Sequence, residues 1–337
     1  MNSSIKNILV TGSSGMIGTA LVQALQKKGY GVYGFDIKEP AIYSDFKYKV
    51  VDLTKPVEES FGVNIDLVIH LAAHARVYEL VIDPAKALEN ATMVHNIFEW
   101  CRKNEVKRFL FASSRETYGD QTELPVKESV ANQRFSKSNY TAGKIFGEAY
   151  CYSYSHCYNM QCKIMRLSNV YGKYDFSDRF IPKIINQFIN DQDVTIYGEN
   201  KTLDFTYLDD CVNGICLLIN KYDVSAFLEY NIASGTQSSL IDVAQKIKDL
   251  LDSKAEIKVG ENLTGEVFNY QADISRMKNI GYAPKISVED GIEKSLGYYS
   301  EYFAPKKSLA SLAIEQLKIE SEKLGTEFSE SLCPALD

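Results

Sequence analysis

The chain has 337 residues, enough to bury a large core, and its hydrophobic content of 45% and charged content of 24% are ordinary for a globular protein. A formal net charge of −7 argues against nucleic acid or an acidic membrane surface as a partner, and no apolar run approaches the roughly 20 residues that span a bilayer. The first apolar run begins soon after Met1, and no two cysteines have C-x-x-C spacing. We therefore expect a cytoplasmic protein with reduced cysteines, no targeting peptide and no metal site.

The first predicted element is a strand that leads into a helix through a glycine-rich turn. Residues 8–10 form a short apolar run, and Gly12, Gly15 and Gly18 follow at three-residue intervals where a helical pattern begins. Gly12 permits a tight turn, Gly15 lets a ligand approach the backbone, and Gly18 lets the helix pack closely on the sheet. The helix start then faces the place where a pyrophosphate would lie. The predicted cradle consists of Gly12, Ser14, Gly15, Met16, Ile17 and Gly18.

The next predicted strand covers residues 30–35 and ends at Asp36, about 20 residues after the turn. A carboxylate at this position accepts hydrogen bonds from both ribose hydroxyls of a dinucleotide and repels a 2′-phosphate. We therefore predict that Asp36 and Ile37 bind NAD rather than NADP. The alternative, in which Asp36 is only a solvated turn residue, stays open.

Strands and helices continue to alternate along the chain. Strands are predicted at 48–51, 67–70, 108–113 and 163–166, with helical patterns at 16–28, 84–103 and 138–157. This alternation favours an α/β fold with a doubly wound parallel sheet covered on both faces. After Gly172 the connections are longer and more polar.

The pattern divides the chain into three parts. We expect a Rossmann-type NAD-binding domain over 1–172 with return segments at about 204–234, a smaller α/β substrate-binding domain over 173–203 and 235–303, and a C-terminal helix or tail over 304–337.

Tyr140 and Lys144 are four residues apart in the helical pattern at 138–157, so they share one face of the helix. Free tyrosine has a pKa of about 10. A nearby ammonium and an oxidised nicotinamide both favour the phenolate, and we expect them to lower the pKa of Tyr140 to that of a useful base. Ser114, at the end of a predicted strand, could share the transferred proton.

Taken together, these motifs resemble those of the extended short-chain dehydrogenase/reductases, the group that holds nucleotide-sugar 4-epimerases, 4,6-dehydratases and uronate decarboxylases. Residues beyond about 303 lie outside the resemblance. The matching segments are TGSSGMIG at 11–18, Asp36, VDL at 51–53, HLAA at 70–73, SSRETYG at 113–119, Tyr140-x-x-x-Lys144, RLSNVYG at 166–172 and DFTYLDD at 204–210.

The resemblance implies roles by position. It makes Tyr140 the catalytic base, Lys144 its partner and a ribose ligand, and Ser114 the proton-sharing hydroxyl. It makes Asn169 a substrate contact and implies a homodimer through a four-helix bundle of the helices near 84–103 and 138–157. The further cofactor contacts that it implies are Asp52, Leu53, Leu71, Ala72, Ala73, Asn90 and Ser113.

Departures from the family pattern bear on the reaction. Dehydratases carry Asp and then Glu after the serine position, whereas this chain has Arg115 and Glu116, and an arginine cannot donate a proton at neutral pH. Decarboxylases carry an arginine where Leu203 stands. We therefore predict a 4-epimerase that acts on a nucleoside diphosphate hexose or hexuronate through a transient 4-keto sugar. A dehydratase or decarboxylase that uses Glu116 stays an alternative, as does a non-catalytic NAD-binding sensor or scaffold.

The positions that supply diphosphate-binding cations in comparable epimerases also depart from the family pattern. The two arginine positions of comparable epimerases are occupied by Leu203 and Leu263. Arg179, Lys173 and Lys201 are nearest in sequence to the expected pocket, and a guanidinium suits a phosphate best. A plain surface role for Arg179 stays equally open.

Two further arginines lie in loops that should face the sugar. Arg76 follows HLAA-His74-Ala75, and Arg115 follows Ser114. We hypothesise that one of the two binds a negative group on the sugar, such as a uronate carboxylate. The alternative is that they pair with Glu79 or Glu116 and only shape the loops.

Overall fold

The computed structural model describes residues 4–41, 45–175, 177–225 and 228–303. Thirteen strands lie in this part of the chain: β1 (Asn7–Thr11), β2 (Gly31–Asp36), β3 (Lys47–Val50), β4 (Leu67–His70), β5 (Arg108–Ser114), β6 (Gln161–Leu167), β7 (Asn169–Tyr171), β8 (Val194–Tyr197), β9 (Thr202–Leu203), β10 (Phe205–Tyr207), β11 (Glu229–Ile232), β12 (Ser238–Ser239) and β13 (Ile257–Gly260). The α-helices are α1 (Met16–Lys27), α2 (Val77–Ile82), α3 (Ala85–Lys103), α4 (Asn139–Tyr158), α5 (Phe180–Ile189), α6 (Leu208–Asn220), α7 (Leu240–Leu250), α8 (Ser275–Asn279) and α9 (Val288–Phe303).

A parallel sheet of seven strands forms the centre, in the order β11-β6-β5-β4-β1-β2-β3. The predicted Rossmann-type fold is therefore confirmed. The strand order reverses at β1, so a crevice opens beyond the carboxyl ends of β1 and β4, where ligands bind in such sheets.

Side-chain alternation along β1 explains why its apolar run is continuous. Ile8 and Val10 point into a core that also contains Leu21 of α1, whereas Leu9 points into a second core that also contains Phe98 of α3. The helices α1 and α6 pack together, and so do α3 and α4. Because both faces of the sheet are covered, its central strands are apolar on both sides.

Smaller elements follow Gly172. The helices α5, α7 and α9 pack together, and β8 pairs with β13 in parallel. The strand β11 pairs with β6 of the large sheet, and the helix α6 packs on α1 and β11. One continuous cluster of buried apolar side chains runs from Ile8 in β1 to Ile292 in α9, so the division into two domains stays a prediction.

The fold does not test two expectations from the sequence, the C-terminal helix or tail and the cellular location. The amphipathic pattern within 304–337 lies outside the described residues. No helix in the described ranges is long and apolar enough to cross a membrane, and the cytoplasmic location stays a prediction.

Candidate active site

A cavity of about 1120 Å³ lies along the carboxyl edge of the sheet. It runs from the β1–α1 turn, past the ends of β4 and β5 and the first turn of α4, to the start of α5. The structure places these predicted site residues on its wall: Gly12, Gly15, Met16, Ile17, Gly18, Asp36, Ile37, Asp52, Leu53, Leu71, Ala72, Ala73, Arg76, Ser113, Ser114, Arg115, Glu116, Tyr140, Lys144, Asn169 and Arg179.

The glycine turn leaves no room for side chains. Gly12 has a φ of +71°, and a Cβ on it would lie 2.8 Å from the amide nitrogen of Ala72. A Cβ on Gly18 would lie 2.0 Å from the carbonyl oxygen of Gly12. No side chain caps the start of α1, where Gly15 is the N-cap residue, so its first amides are open to the cavity. These residues fit the pyrophosphate of a dinucleotide.

The two carboxylates of the predicted nucleoside site are held by backbone amides. Asp36 accepts hydrogen bonds from the amides of Ser14, at 2.9 Å, and Lys38, at 3.0 Å. Ser14 itself does not line the cavity, so its contribution is to orient Asp36. Asp52 accepts bonds from the hydroxyl and the amide of Thr54, which hold its pKa below the ordinary value.

Asn90 does not line the cavity, although it was predicted along the cofactor. Its side chain bonds both backbone groups of His74, with distances of 2.8 and 3.0 Å, and so holds the loop after β4. The imidazole of His74 lies 2.7 Å from Glu89. His70 is buried against the Thr11 hydroxyl, and burial lowers its pKa to about 3, so it is a neutral core histidine.

Tyr140 and Lys144 lie on one buried face of α4, as their spacing predicts. The Lys144 ammonium donates to the carbonyl of Ala112 at 2.7 Å and lies 5.7 Å from the centre of the Tyr140 ring. Burial lowers the pKa of Lys144 to about 8. The ammonium therefore lies near the phenol but is hydrogen-bonded elsewhere.

The expected lowering of the Tyr140 pKa is not produced by the protein's own residues. Burial raises this pKa above the ordinary value, and a hydrogen bond with Ser114 offsets only part of the rise. Desolvation of the phenolate is thus the larger effect. The predicted lowering depends on the positive charge of the bound cofactor.

A buried network that the sequence analysis missed joins α4 to β5 and β6. Glu148 accepts a hydrogen bond from Ser113 at 2.5 Å and two from Arg166, at 2.9 and 2.7 Å. All three residues are buried. Glu148 lies four residues after Lys144, just as Lys144 lies four residues after Tyr140. The same helical spacing therefore places all three side chains on one face of α4 and could have identified Glu148 from the sequence.

Arg115 and Glu116 form a buried ion pair beside Ser114. The Ser114 hydroxyl accepts from the Glu116 amide at 3.2 Å, and Arg115 Nη2 lies 2.8 Å from Glu116 Oε1. Arg115 Nε also donates to Asn169 Oδ1 at 3.2 Å. Among the described residues, Arg115 Nη1 and Glu116 Oε2 are buried without a hydrogen-bond partner. Burial raises the pKa of Glu116, and the charge of Arg115 offsets part of that rise.

Arg76 and Arg179 meet the loop that precedes α5. Arg76 forms an ion pair with Asp178 and not with Glu79, whereas Arg115 pairs with Glu116, as the alternative for that arginine predicts. Arg179 is the N-cap residue of α5 and lies 3.9 Å from Asp175. Both guanidinium groups belong to residues that line the cavity.

The remaining candidate cations are placed differently. Lys201 is buried in an ion pair with Glu266, whereas Lys173 lies over the ring of Tyr174 and does not line the cavity. Leu203 and Leu263 line the cavity with apolar surface.

Comparison with known proteins identifies the family. The model of the NAD dependent epimerase/dehydratase family matches residues 8–233. UDP-glucuronic acid decarboxylase 1 of Arabidopsis thaliana is 27% identical over 299 residues, which cover 85% of this chain and 68% of the relative.

Solved structures give the same result. The UDP-glucose 4-epimerase of Thermotoga maritima with UDP-glucose has a TM-score of 0.80 at 25% identity, covering 88% of this chain and 99% of that one. The UDP-glucuronic acid 4-epimerase of Bacillus cereus, in complex with UDP-glucuronic acid and NAD, has a TM-score of 0.77 at 26% identity, with the same coverage of 88% and 99%. The chain therefore belongs to the NAD-dependent epimerase/dehydratase family, with NAD as its cofactor.

Proposed function

We propose that this protein is a nucleotide-sugar 4-epimerase. The observation that carries the proposal is the buried Arg115–Glu116 pair, with 2.8 Å between Nη2 and Oε1. This pair engages the carboxylate that a dehydratase or decarboxylase would use as a base. Tyr140, Lys144 and Ser114, which are sufficient for oxidation and reduction at C4, lie together on the same cavity.

In the proposed reaction, the Tyr140 oxygen accepts the proton of the sugar 4-hydroxyl, and Ser114 shares it through a hydrogen bond. The Lys144 ammonium, with a pKa of about 8, is mostly charged at neutral pH and favours the phenolate. The β1–α1 turn and Asp36 would hold NAD, which would supply the acceptor and donor of the C4 hydride. The 4-keto sugar turns between the two transfers, and Tyr140 then returns the proton to the inverted alcohol.

One observation favours a second candidate, a dehydratase or decarboxylase. Glu116 Oε2 is buried on the cavity wall without a hydrogen-bond partner in the described part of the chain, and burial raises the Glu116 pKa. Such a carboxyl suits a general base. We rank this candidate lower because the neighbouring position holds Arg115 in place of an acid.

The test is to incubate the purified protein and NAD with UDP-glucose, UDP-N-acetylglucosamine and UDP-glucuronic acid. We expect an isomer of unchanged mass whose proton NMR spectrum shows inversion at C4. A loss of the mass of water or of carbon dioxide would contradict the proposal in favour of the second candidate. No reaction with any sugar, despite bound NAD, would favour the non-catalytic alternative.

Two variants sharpen this test. Tyr140→Phe removes the base, and we expect turnover to fall about 10²–10⁴-fold. Glu116→Gln keeps the size of the side chain, so a 4-epimerase should keep turnover within about tenfold. An equal loss of turnover in both variants, with the Tm of Glu116→Gln unchanged, would place Glu116 in the chemistry, since unpairing of the buried Arg115 would lower the Tm as well.

We also propose a homodimer through the exposed sides of α3 and α4. Leu88 of α3 is 71% exposed, and Ala142 and Ala149 of α4 are exposed as well. The support is the likeness to the family together with these apolar side chains on adjacent helices.

A further inference from the structure

A nucleotide sugar brings a diphosphate into a protein whose net charge is −7, so local cations must hold it. On the sugar side of the cavity, the lining cations of the described residues are Arg76, Arg115, Arg179, Lys183 and Lys201. The ion-pair and hydrogen-bond partners of each cation show whether it is available to bind a diphosphate.

Two of these cations are already neutralised in buried pairs. Arg115 contacts Glu116 and Asn169, and Lys201 contacts Glu266. Both are almost fully buried. A buried pair loses much of its stabilisation when either charge is drawn away, so neither cation is well suited to a second anion.

The other cations gather at one end of α5. Arg179 is its N-cap residue, and Lys183 is one turn further along the same helix. No side chain caps this helix, so its first amides and the positive end of its dipole face the same space. Arg76 reaches this place from the loop before α2 and contacts Asp178.

The acidic partners of Arg76 and Arg179 bind them weakly or can be displaced by another anion. The Asp178 side chain is 73% exposed, so its pair with Arg76 is readily exchanged for another anion. Asp175 is 3.9 Å from Arg179, beyond hydrogen-bond distance. Burial lowers the pKa of Arg76, and the nearby charge of Arg179 lowers it further. The guanidinium groups of Arg76 and Arg179 repel each other, so an anion placed between them would stabilise both charges.

We propose that Arg76 and Arg179 form a clamp for the diphosphate of the substrate at the start of α5, with Asp178 occupying Arg76 in the substrate-free protein. The inference rests on the proposed function because it requires a nucleoside diphosphate substrate. With Arg76 on the diphosphate, it is not the arginine, of Arg76 and Arg115, that binds a negative group on the sugar.

Calorimetry on the NAD-loaded protein tests the clamp without any turnover. The probes are UDP, UMP and uridine, with dTDP, GDP and CDP and the matching monophosphates and nucleosides used if UDP does not bind. We expect Arg76→Ala and Arg179→Ala each to weaken binding of the nucleoside diphosphate about 10–100-fold and to leave binding of the nucleoside unchanged. Asp178→Asn should strengthen diphosphate binding several-fold, because it removes the competing carboxylate.

Arg102→Ala is the matched control, since Arg102 pairs with Glu99 on α3 and does not line the cavity. The clamp is refuted if nucleoside and diphosphate binding fall equally, or if Lys201→Ala weakens diphosphate binding while the two arginine variants do not. It is also refuted if Asp178→Asn weakens binding. Failure of the 4-epimerase proposal would show separately, as a different product or none, with the binding differences intact.

Discussion

Replacing Glu148 by glutamine should damage both stability and catalysis through separable effects. Glu148 lies on α4 with Tyr140 and Lys144 and bonds Ser113 of β5 and Arg166 of β6. Glutamine keeps the length of the side chain and can still accept from Ser113. It removes the charge that compensates Arg166.

The loss of stability follows from the burial of Arg166. Breaking a buried ion pair by removing one partner costs about 3–5 kcal/mol, because the other charge stays buried. For a chain of this size the unfolding entropy is about 0.7 kcal/mol per kelvin, so we expect the Tm to fall by roughly 4–7 °C. The double variant Glu148→Leu with Arg166→Met removes both charges and should be more stable than Glu148→Gln.

The catalytic effect has a distinct signature in the pH profile. The charge of Glu148 raises the pKa of Lys144, which burial holds at about 8. In Glu148→Gln the Lys144 ammonium should lose its proton at a lower pH, so the alkaline fall in kcat should begin at a lower pH. The measurements are thermal unfolding and a pH–rate profile from pH 6 to 9. A Tm within about 2 °C of the unmodified protein, together with an unmoved alkaline limb, would refute this account of the network.

Two further predictions test the cofactor cradle and the dimer. Gly18→Ala should weaken NAD binding at least about 100-fold in a fluorescence titration, because its Cβ would lie 2.0 Å from the carbonyl oxygen of Gly12. Gly297→Ala should leave binding unchanged, because among the described residues a Cβ there meets nothing within 4 Å beyond its own stretch of α9. Leu88→Asp should give a monomer by light scattering, whereas Val224→Asp, at a similarly exposed position of 77%, should not. Intact NAD binding in Gly18→Ala, or a dimer in Leu88→Asp, would contradict these expectations.

The parts of the site that sequence predicts are those whose geometry is local. Gly12 and Gly18 lie within one turn, and Tyr140 and Lys144 are one helical turn apart, so residue spacing determines their relation. Asp36 is less local, but a strand–helix–strand unit of ordinary length places it at the neighbouring strand end. The predicted helices in the segments 16–28, 84–103 and 138–157 are confirmed for the same reason.

The parts that sequence could not predict are contacts between distant segments. The Arg76–Asp178 pair depends on how the loop before α5 folds over the cavity. No spacing rule distinguishes Asp178 from Glu79, which is nearer in sequence to Arg76. Burial raises the pKa of Tyr140 in the protein alone, and spacing cannot predict this because burial depends on the packing of the whole site.

Asp204 behind Asn169 allows a pH test in which burial and hydrogen bonding oppose each other. Its carboxylate accepts from the Ser234 amide and hydroxyl, at 3.0 and 2.7 Å, and from the Gly235 amide at 2.9 Å. These bonds favour the charged form. Burial nevertheless raises the pKa of Asp204 from 3.8 to about 6.

Because the folded-state pKa is the higher one, Asp204 stabilises the fold fully below pH 3.8, and this contribution is lost as the pH rises through about 6. A shift of this size corresponds to about 3 kcal/mol. The free energy of unfolding of the unmodified protein, minus that of Asp204→Asn, should therefore fall by about that amount between pH 4 and pH 7. Taking the difference cancels the titration of groups common to both proteins. A difference that is constant with pH would mean that hydrogen bonding from Ser234 and Gly235 offsets the desolvation of the carboxylate. A difference that rises with pH would mean that these bonds exceed it, and that Asp204 is a charged anchor for the strand pair beside Asn169.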